Sequence, residues 1–393
     1  MCTTRKGCLF ELINEELRTM RFPEEFSDLS KFIISDERAA AFIRYMLNDD
    51  SYTVPDIGSE MYEVAQSRAR HSAITYLIGL VFKPFKNIFD DFSNIVDSKQ
   101  NSRVCHWLWL VTSLNHDKAY YSDYLKKEKL NYKETFKRFL LTDSHEQSEL
   151  KFLNQFSDIF PRALAYSYDE ILAYDQYATR YHMGEFDTDP KSKKKKDNER
   201  KDHGILGGIQ LFHNLTRKLS DDEKKKQELF LAKICCLTIA QHNIFKSSNK
   251  DNDKNYNGYE VDGRKIDLSR IHFDSDFRIS IETPLLLFLC LIDTIECVKK
   301  FSKGENDGKH LNTLTTLKSI FVTVAEDSIE IDLSKLSEEI SKKPNLDNVL
   351  NKYKQSLLEF DTWTTFSVEN QSNDVFRLTM RDPTEENNHT EVA

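Results

Sequence analysis

The chain has 393 residues, of which 39% are hydrophobic and 30% charged, and its formal net charge is −9. This length suffices for one large domain or two ordinary ones. The acidic balance, with a pI of about 5.7, provides no global basic field, so long duplex nucleic acid is not expected as a partner. Glycine (11) and proline (8) are few, which favours long helices over a strand-rich sandwich.

The cysteines and the apolar runs together predict a cytoplasmic protein that does not enter the membrane. The seven cysteines are odd in number and form no CxxC pair, which favours buried free thiols over disulfides or a zinc knuckle. The N-terminus "MCTTRKGCLFELINEEL" turns acidic too early for a signal peptide. The longest apolar run, Pro284 to Ile292, is too short to span a bilayer.

Three helical stretches are predicted before residue 120. Residues 1–55 form an N-terminal helical segment, with "ERAAAFIRYML" as its clearest amphipathic helix. A longer helix follows through "SEMYEVAQSRARHSAITYLIGLVF", in which His71 lies seven residues after Val64 and three before Ile74, hence on the inward face. The third helix, "CHWLWLVTSL", is largely apolar and runs directly into the dipeptide His116-Asp117.

The central part of the chain alternates between polar and apolar stretches. Residues 120–200 are polar, charged and tyrosine-rich, and we interpret them as an inserted helical segment. Helices are predicted for "DHGILGGIQLFHNL" and "QELFLAKICCLTIAQHNIF", with a small hairpin at "YEVDGRKIDL". The stretch "ETPLLLFLCLIDTIECVKKFSKG" is predicted as one helix, with Pro284 in its first turn and a glycine stop.

After residue 311 the pattern changes from helical periodicity to alternation. "SIFVTVAEDSIEIDLS" predicts a hairpin, "LDNVLNKYKQSLLEF" an amphipathic helix, and "DVFRLTMRD" a last strand. Residues 312–380 are therefore predicted to form a small α+β appendage. The acidic tail 381–393 is predicted to be disordered.

Several ligand-type side chains occur where the helical patterns call for apolar residues. In chain order they are His71, His116, Asp117, His203, His242 and Asp293. Taken singly, each histidine could be a hydrogen-bonded core residue, and Asp293 could pair with an arginine or lysine. An ionised carboxylate buried alone is costly, however, and a mixed imidazole and carboxylate set suits Mn, Fe, Co, Ni or Zn, or Mg where carboxylates and water dominate.

The order of these residues resembles the HD-domain superfamily of metal-dependent phosphohydrolases. Its signature is a distant His, an adjacent His-Asp and a distant Asp. The segments "RHSAITYLIGL", "WLVTSLNHDKAYY", "DHGILGGIQL", "IAQHNIF" and "PLLLFLCLIDTIECV" are similar to the successive core helices of that family, over roughly Glu60 to Lys303. The resemblance implies a mainly α fold, with an HD-type helical bundle core at 56–311 that carries the insertion.

The resemblance also implies roles for these residues. His71, His116, Asp117 and Asp293 would hold one divalent ion. His203 and His242 would occupy places where some members bind a second ion and others contact the scissile phosphate. Members with two ions often have an adjacent His-His pair in this later region, whereas His242 is followed by Asn243, so the number of ions stays open at one or two.

Lys118 marks a second departure, because many relatives continue with Ile-Gly after the His-Asp pair. Two interpretations remain open: Lys118 places a cation beside the phosphate, or it reshapes the turn. We count it with Asp117, His203 and His242 among the candidate catalytic residues.

The expected activity is hydrolysis of a phosphoester in a nucleotide or a cyclic or short oligonucleotide, by metal-activated water, with His203 or His242 as general acid. Two alternatives remain: a metal nuclease on single-stranded nucleic acid, and a regulatory HD protein that binds a nucleotide without turnover. The sequence does not determine the oligomeric state.

Overall fold

A computed structural model describes residues 4–33, 36–48, 59–83, 85, 101–118, 257–261, 264–267, 284–301 and 310–380, and positions 204, 207, 208, 211, 215, 231, 232, 234–236, 238, 239 and 242. These residues are mostly helical, with a five-stranded antiparallel sheet and a separate two-stranded hairpin. The predicted insertion at 120–200, His203 and the tail 381–393 lie outside the described residues.

The chain divides into two compact units, each assembled from separate stretches. Unit 1 consists of Met1–Thr53, Ala73–Trp109 and Ser280–Ala393, and unit 2 of Val54–Ser72 and Leu110–Ile279. The predicted segments 1–55, 56–311 and 312–380 instead follow the order of the chain. Neighbours within one unit are thus often far apart in sequence, and the predicted boundaries stay a prediction.

The N-terminal part begins with a strand that the sequence analysis did not predict. Strand β1 (Arg5–Cys8) leads into helix α1 (Leu9–Thr19), a 3-10 turn (Glu24–Phe26), α2 (Leu29–Phe32) and α3 (Asp36–Leu47). Helix α3 is the predicted "ERAAAFIRYML" helix. Phe26, Phe32 and Phe42 are buried and pack edge to face, which fixes these short elements around one aromatic cluster.

Two long helices come next, both close to their predicted positions. In helix α4 (Ser59–Val81) every residue from 71 to 81 is buried, and His71 is thus buried as predicted. Helix α5 (Asn101–Asn115) ends immediately before His116. Although α4 has 23 residues, neither it nor any other helix in the described ranges is both long and apolar enough to cross a membrane.

The apolar stretch near residue 290 forms two helices rather than the single predicted one. Helix α6 (Pro284–Ile295) ends where the periodic pattern still continues, and α7 (Val298–Phe301) restarts after Glu296 and Cys297. The buried Glu296 carboxylate accepts a hydrogen bond from the backbone N–H of Val298 at 2.9 Å. A side chain thus satisfies a backbone donor at the start of α7, which favours a new helix at this point.

Between these helices the structure describes two helical stretches and a hairpin. Positions 204, 207, 208 and 211 are helical and buried, consistent with one inward helix face at three- and four-residue spacing. The described positions from 231 to 239 are helical as well. Strands β2 (Asn257–Val261) and β3 (Arg264–Asp267) pair antiparallel, which confirms the predicted hairpin.

The five-stranded sheet combines β1 with four strands from the C-terminal part. Strands β4 (Phe321–Val324) and β5 (Ser328–Asp332) form the predicted hairpin, β7 (Val375–Met380) is the predicted last strand, and β6 (Phe366–Ser372) was not predicted. The order is β1-β4-β5-β7-β6, with all neighbours antiparallel. Its buried face is built from cross-strand apolar neighbours: Val322, Val324, Ile329, Ile331, Phe376 and Leu378.

Four helices accompany this sheet and complete an α+β arrangement. They are α8 (Thr313–Ser319), α9 (Ser334–Ser341), α10 (Asp347–Leu358) and α11 (Phe360–Trp363), and α10 is the predicted amphipathic helix. The fully buried Tyr353 on α10 donates a hydrogen bond to the carbonyl of Ile295 at 2.9 Å. This bond ties α10 to the end of α6, so the sheet region and α6 share one core within unit 1.

Asp374, in the turn between β6 and β7, should make unit 1 sensitive to acid. Burial acts to raise the pKa of this carboxyl, but hydrogen bonds from Lys354 and from the Ser337 hydroxyl (2.6 Å) lower it below its ordinary value. When folding lowers the pKa of a carboxyl group, the stability that this group contributes is fully present at a pH above its unfolded-state pKa. That stability is lost as the pH falls through the folded-state pKa. We therefore expect the unfolding free energy of the Asp374→Asn variant, measured by chemical denaturation, to fall less than that of wild type between roughly pH 5 and pH 2.

An equal loss of stability in both proteins over that pH range would contradict this role for Asp374. Asp327→Asn is a suitable control, because Asp327 is exposed in the turn between β4 and β5. This control should follow the wild-type pH dependence.

Candidate metal centre

Three elements of unit 2 deliver the candidate ligands. Arg68 and His71 are three residues apart on α4, hence on neighbouring positions of one helix face. His116 and Asp117 follow α5 directly, in the turn that ends it. His242 lies in a turn, three residues after the helical position 239. One histidine of the group therefore lies inside a helix, and the other two lie in turns.

His71, His116 and Asp117 form a compact buried group. One ligand atom from each lies within 4.8 Å of the other two. The two Nε2 atoms of His71 and His116 are 3.1 Å apart. The Asp117 carboxylate lies 3.4 Å from Nε2 of His71, through Oδ2, and 3.7 Å from Nε2 of His116, through Oδ1. All three residues are at most 3% exposed.

His242 joins this group from the side of Asp117 Oδ1. Its Nε2 atom is 3.7 Å from that oxygen, and its ring packs edge to face on His116 with centroids 5.2 Å apart. The residue is 1% exposed. Three histidines and one aspartate predicted from sequence are thus brought together in the structure.

Backbone hydrogen bonds set the orientation of two of these rings. Nδ1 of His116 lies 2.7 Å from the carbonyl oxygen of Ser113, and Nδ1 of His242 lies 2.7 Å from that of Ile239. A carbonyl oxygen only accepts, so each Nδ1 must carry the proton and donate it. In the neutral ring this leaves a lone pair on Nε2, the atom that faces the group.

This arrangement fits a divalent cation. A donation from Nδ1 to a carbonyl is the usual way in which a metal-binding histidine is fixed with Nε2 ready to coordinate. The lone pairs on Nε2 of His116 and His242 and the buried Asp117 carboxylate form an electron-rich group, which a cation between them would stabilise. Imidazole nitrogen and carboxylate oxygen together suit Mn, Fe, Co, Ni or Zn.

Arg68 supplies a positive charge to the group, and the sequence analysis missed it. Its Nη1 donates to Oδ2 of Asp117 at 2.8 Å, and its side chain is 22% exposed. A signal was available in the sequence, since an arginine three residues before a predicted ligand on the same helix shares its face. The residues predicted for the site were all of ligand type, and this cation was not among them.

For the remaining predicted site residues, the metal-binding or catalytic role stays a prediction. Asp293 belongs to unit 1, where it is buried and accepts a hydrogen bond from Lys299 at 3.1 Å; its membership of the metal group stays a prediction. Lys118 directly follows Asp117 and is half-buried, and its catalytic role stays a prediction as well. His203 lies outside the described residues.

The thiols are unsuited to nucleophilic work. The six described cysteines are buried, and none of these six forms a disulfide. Burial raises the pKa of Cys235 to about 12 and that of Cys236 well above its ordinary value. Since the thiolate is the reactive form of cysteine, these side chains act as apolar core residues.

Comparisons with known proteins identify no relative: no family model, curated protein or solved structure matches the chain.

Proposed function

We propose that this protein is a metal-dependent phosphohydrolase of the HD type, acting on a nucleotide or a cyclic or short oligonucleotide. The observation that carries the proposal is the buried group of His71, His116 and Asp117. The resemblance in the order of these residues, with His242 and Asp293 later in the chain, adds to it. An HD-type helical bundle around the group is part of the proposal.

We assign the metal-holding role to His71, His116 and Asp117, with Asp293 as the fourth proposed ligand. A divalent ion would supply Lewis-acid activation of water and neutralisation of phosphate oxygens. The protein's own contribution is to orient the ligands: Ser113 fixes His116 through its carbonyl, and Arg68 holds one oxygen of Asp117. Burial of the group removes bulk water, which strengthens each of these electrostatic interactions.

The leaving oxygen needs a proton donor, and we assign this role to His242 or His203. His242 adjoins Asp117 and is held in one orientation by the carbonyl of Ile239. Lys118 is proposed to attract the phosphate, because it carries a positive charge one residue after Asp117. The reduced thiols of the described cysteines suit a reducing compartment, and we propose the cytoplasm.

Metal content and turnover test this proposal together. We expect the protein purified without chelators to contain about one or two equivalents of Mn, Fe, Co, Ni or Zn by elemental mass spectrometry. With nucleotides and cyclic or short oligonucleotides as substrates, hydrolysis should require the metal. Asp117→Ala should lose the metal and at least about 10³-fold in rate, because a metal contributes several kcal/mol to such reactions.

The exposed Asp327→Ala variant is the control and should keep both metal and rate. Bound metal without turnover on any of these substrates would instead favour the regulatory, nucleotide-binding alternative. Turnover of single-stranded nucleic acid with a steep salt dependence would favour the nuclease. A wild-type protein that holds no metal, even after reconstitution with Mn and Mg, would refute the proposal.

A further inference from the structure

The two oxygens of the Asp117 carboxylate have different neighbours. Oδ1 faces Nε2 of His116 and Nε2 of His242, each at 3.7 Å. Oδ2 receives the hydrogen bond from Arg68 at 2.8 Å and faces Nε2 of His71 at 3.4 Å. Two imidazoles therefore face Oδ1, whereas Oδ2 faces one imidazole and already has a guanidinium bound to it.

These two sides differ in their need for a cation. Both imidazoles on the Oδ1 side donate from Nδ1 to the backbone and turn a lone pair towards the carboxylate. That side gathers electron-rich atoms that a divalent ion would join, and Nε2 of His71 lies within reach of the same ion, 3.1 Å from Nε2 of His116. On the Oδ2 side, Arg68 carries a permanent positive charge, since a guanidinium does not lose its proton in proteins.

We propose that Arg68 serves as a built-in second cation of this site, so that the group binds one divalent ion and opposes a second. The inference rests on the proposed metal site and deepens it. Two-ion sites hold their ions about 3.5–4 Å apart, commonly with one carboxylate oxygen on each ion. An ion on Oδ2 would lie at most about 5 Å from Nη1 of Arg68, because metal–oxygen bonds are about 2.1 Å long.

The positive charge of Arg68 determines whether this residue strengthens or weakens the binding of the first ion. An orienting hydrogen bond to a ligand strengthens metal binding by about 10–100-fold in typical sites. Arg68 also repels the ion and competes with it for the same carboxylate, and charge repulsion across a few ångströms of partly buried protein outweighs a single orienting bond. Removing the charge should therefore tighten the binding of the first ion.

The test is a Mn²⁺ titration of the full chain by equilibrium dialysis, with circular dichroism to establish that each variant is folded. Wild type should saturate at one ion per chain. Arg68→Gln should bind Mn²⁺ at least about tenfold more tightly, whereas Arg68→Lys, which keeps the charge, should stay close to wild type. Arg70→Gln is the matched control, because it removes one arginine from the same helix at a position about 200° around it.

Each outcome has a separate meaning. Two ions per wild-type chain would overturn the inference and leave the proposed function intact, and this arm needs no variant. Equal or weaker Mn²⁺ binding by folded Arg68→Gln would also overturn it, because Arg68 would then be only an orienting residue. No ion in wild type would overturn both the inference and the proposed function.

Discussion

His116→Ala should bind Mn²⁺ at least about 100-fold more weakly than wild type, because it removes a proposed direct ligand, and groups one step further from a metal already account for 10–100-fold. The structure gives this residue a central place in the group. Its Nε2 atom lies 3.1 Å from that of His71 and 3.7 Å from Asp117 Oδ1, and its ring packs on His242. Isothermal titration calorimetry with Mn²⁺ would measure the change.

His106→Ala provides a matched control on the same helix. His106 is half-buried, its Nε2 lies 3.1 Å from the hydroxyl of Tyr76, and burial together with Lys83 lowers its pKa. It pairs with Tyr76 and is not among the proposed ligands, so its loss should leave the affinity for Mn²⁺ unchanged. If His116→Ala and wild type bound Mn²⁺ with similar affinities, His116 would not be a ligand of the proposed site.

Gly79→Ala should destabilise the protein by about 3 kcal/mol, at the upper end of the cost of overpacking a core. A Cβ atom at position 79 would lie 2.2 Å from two carbons of the Trp109 ring, far inside van der Waals contact. The ring has no easy way to move: it is fully buried, Nε1 donates to the carbonyl of Tyr76 at 3.0 Å, and its face meets Phe288 with centroids 4.6 Å apart. The gain in helix propensity from alanine, about 1 kcal/mol, is smaller.

Gly7→Ala is the matched control in strand β1. The nearest atoms to its added methyl belong to Leu12 at 3.4 Å, an ordinary contact distance. We expect its unfolding free energy in urea to stay within about 0.5 kcal/mol of wild type. An unfolding free energy of Gly79→Ala equal to that of Gly7→Ala would contradict the close packing of α4 against Trp109.

The helices were predictable because their apolar periodicity is local information. Helices α3, α4, α5 and α10 all arise at the predicted sequences, as does the hairpin of β4 and β5. The inward face of His71 followed from its spacing to Val64 and Ile74. Periodicity thus located most of the candidate ligands before any contact between them was known.

The missed strands depend on information that a local pattern does not contain. Strand β1 has four residues, and its partner is distant in the chain, since Cys8 pairs with Phe321. Strand β6, "FSVENQS", lies at the edge of the sheet with its last four residues exposed, so it shows no alternation between apolar and polar residues. Both strands form because a neighbouring strand offers backbone partners.

The contacts of individual side chains were the other feature that could not be predicted from the sequence. The helix break at Glu296 depends on a carboxylate that turns back to a backbone N–H, against a continuous apolar pattern. The ion pair of Arg68 with Asp117 joins α4 to the turn after α5. Spacing within α4 places Arg68 on the face of His71 but does not reveal its partner on another element. The sequence therefore indicated which residues could form a metal site, whereas the charge balance of that site required the structure.

The most direct test of the metal site is an anomalous-scattering map from crystals of the full chain grown with Mn²⁺ and measured at the manganese absorption edge. The account predicts a peak about 2.2 Å from Nε2 of His71, Nε2 of His116 and the Asp117 carboxylate. Crystals that hold Mn²⁺ elsewhere, with these three side chains bonded only to each other and to Arg68, would contradict it.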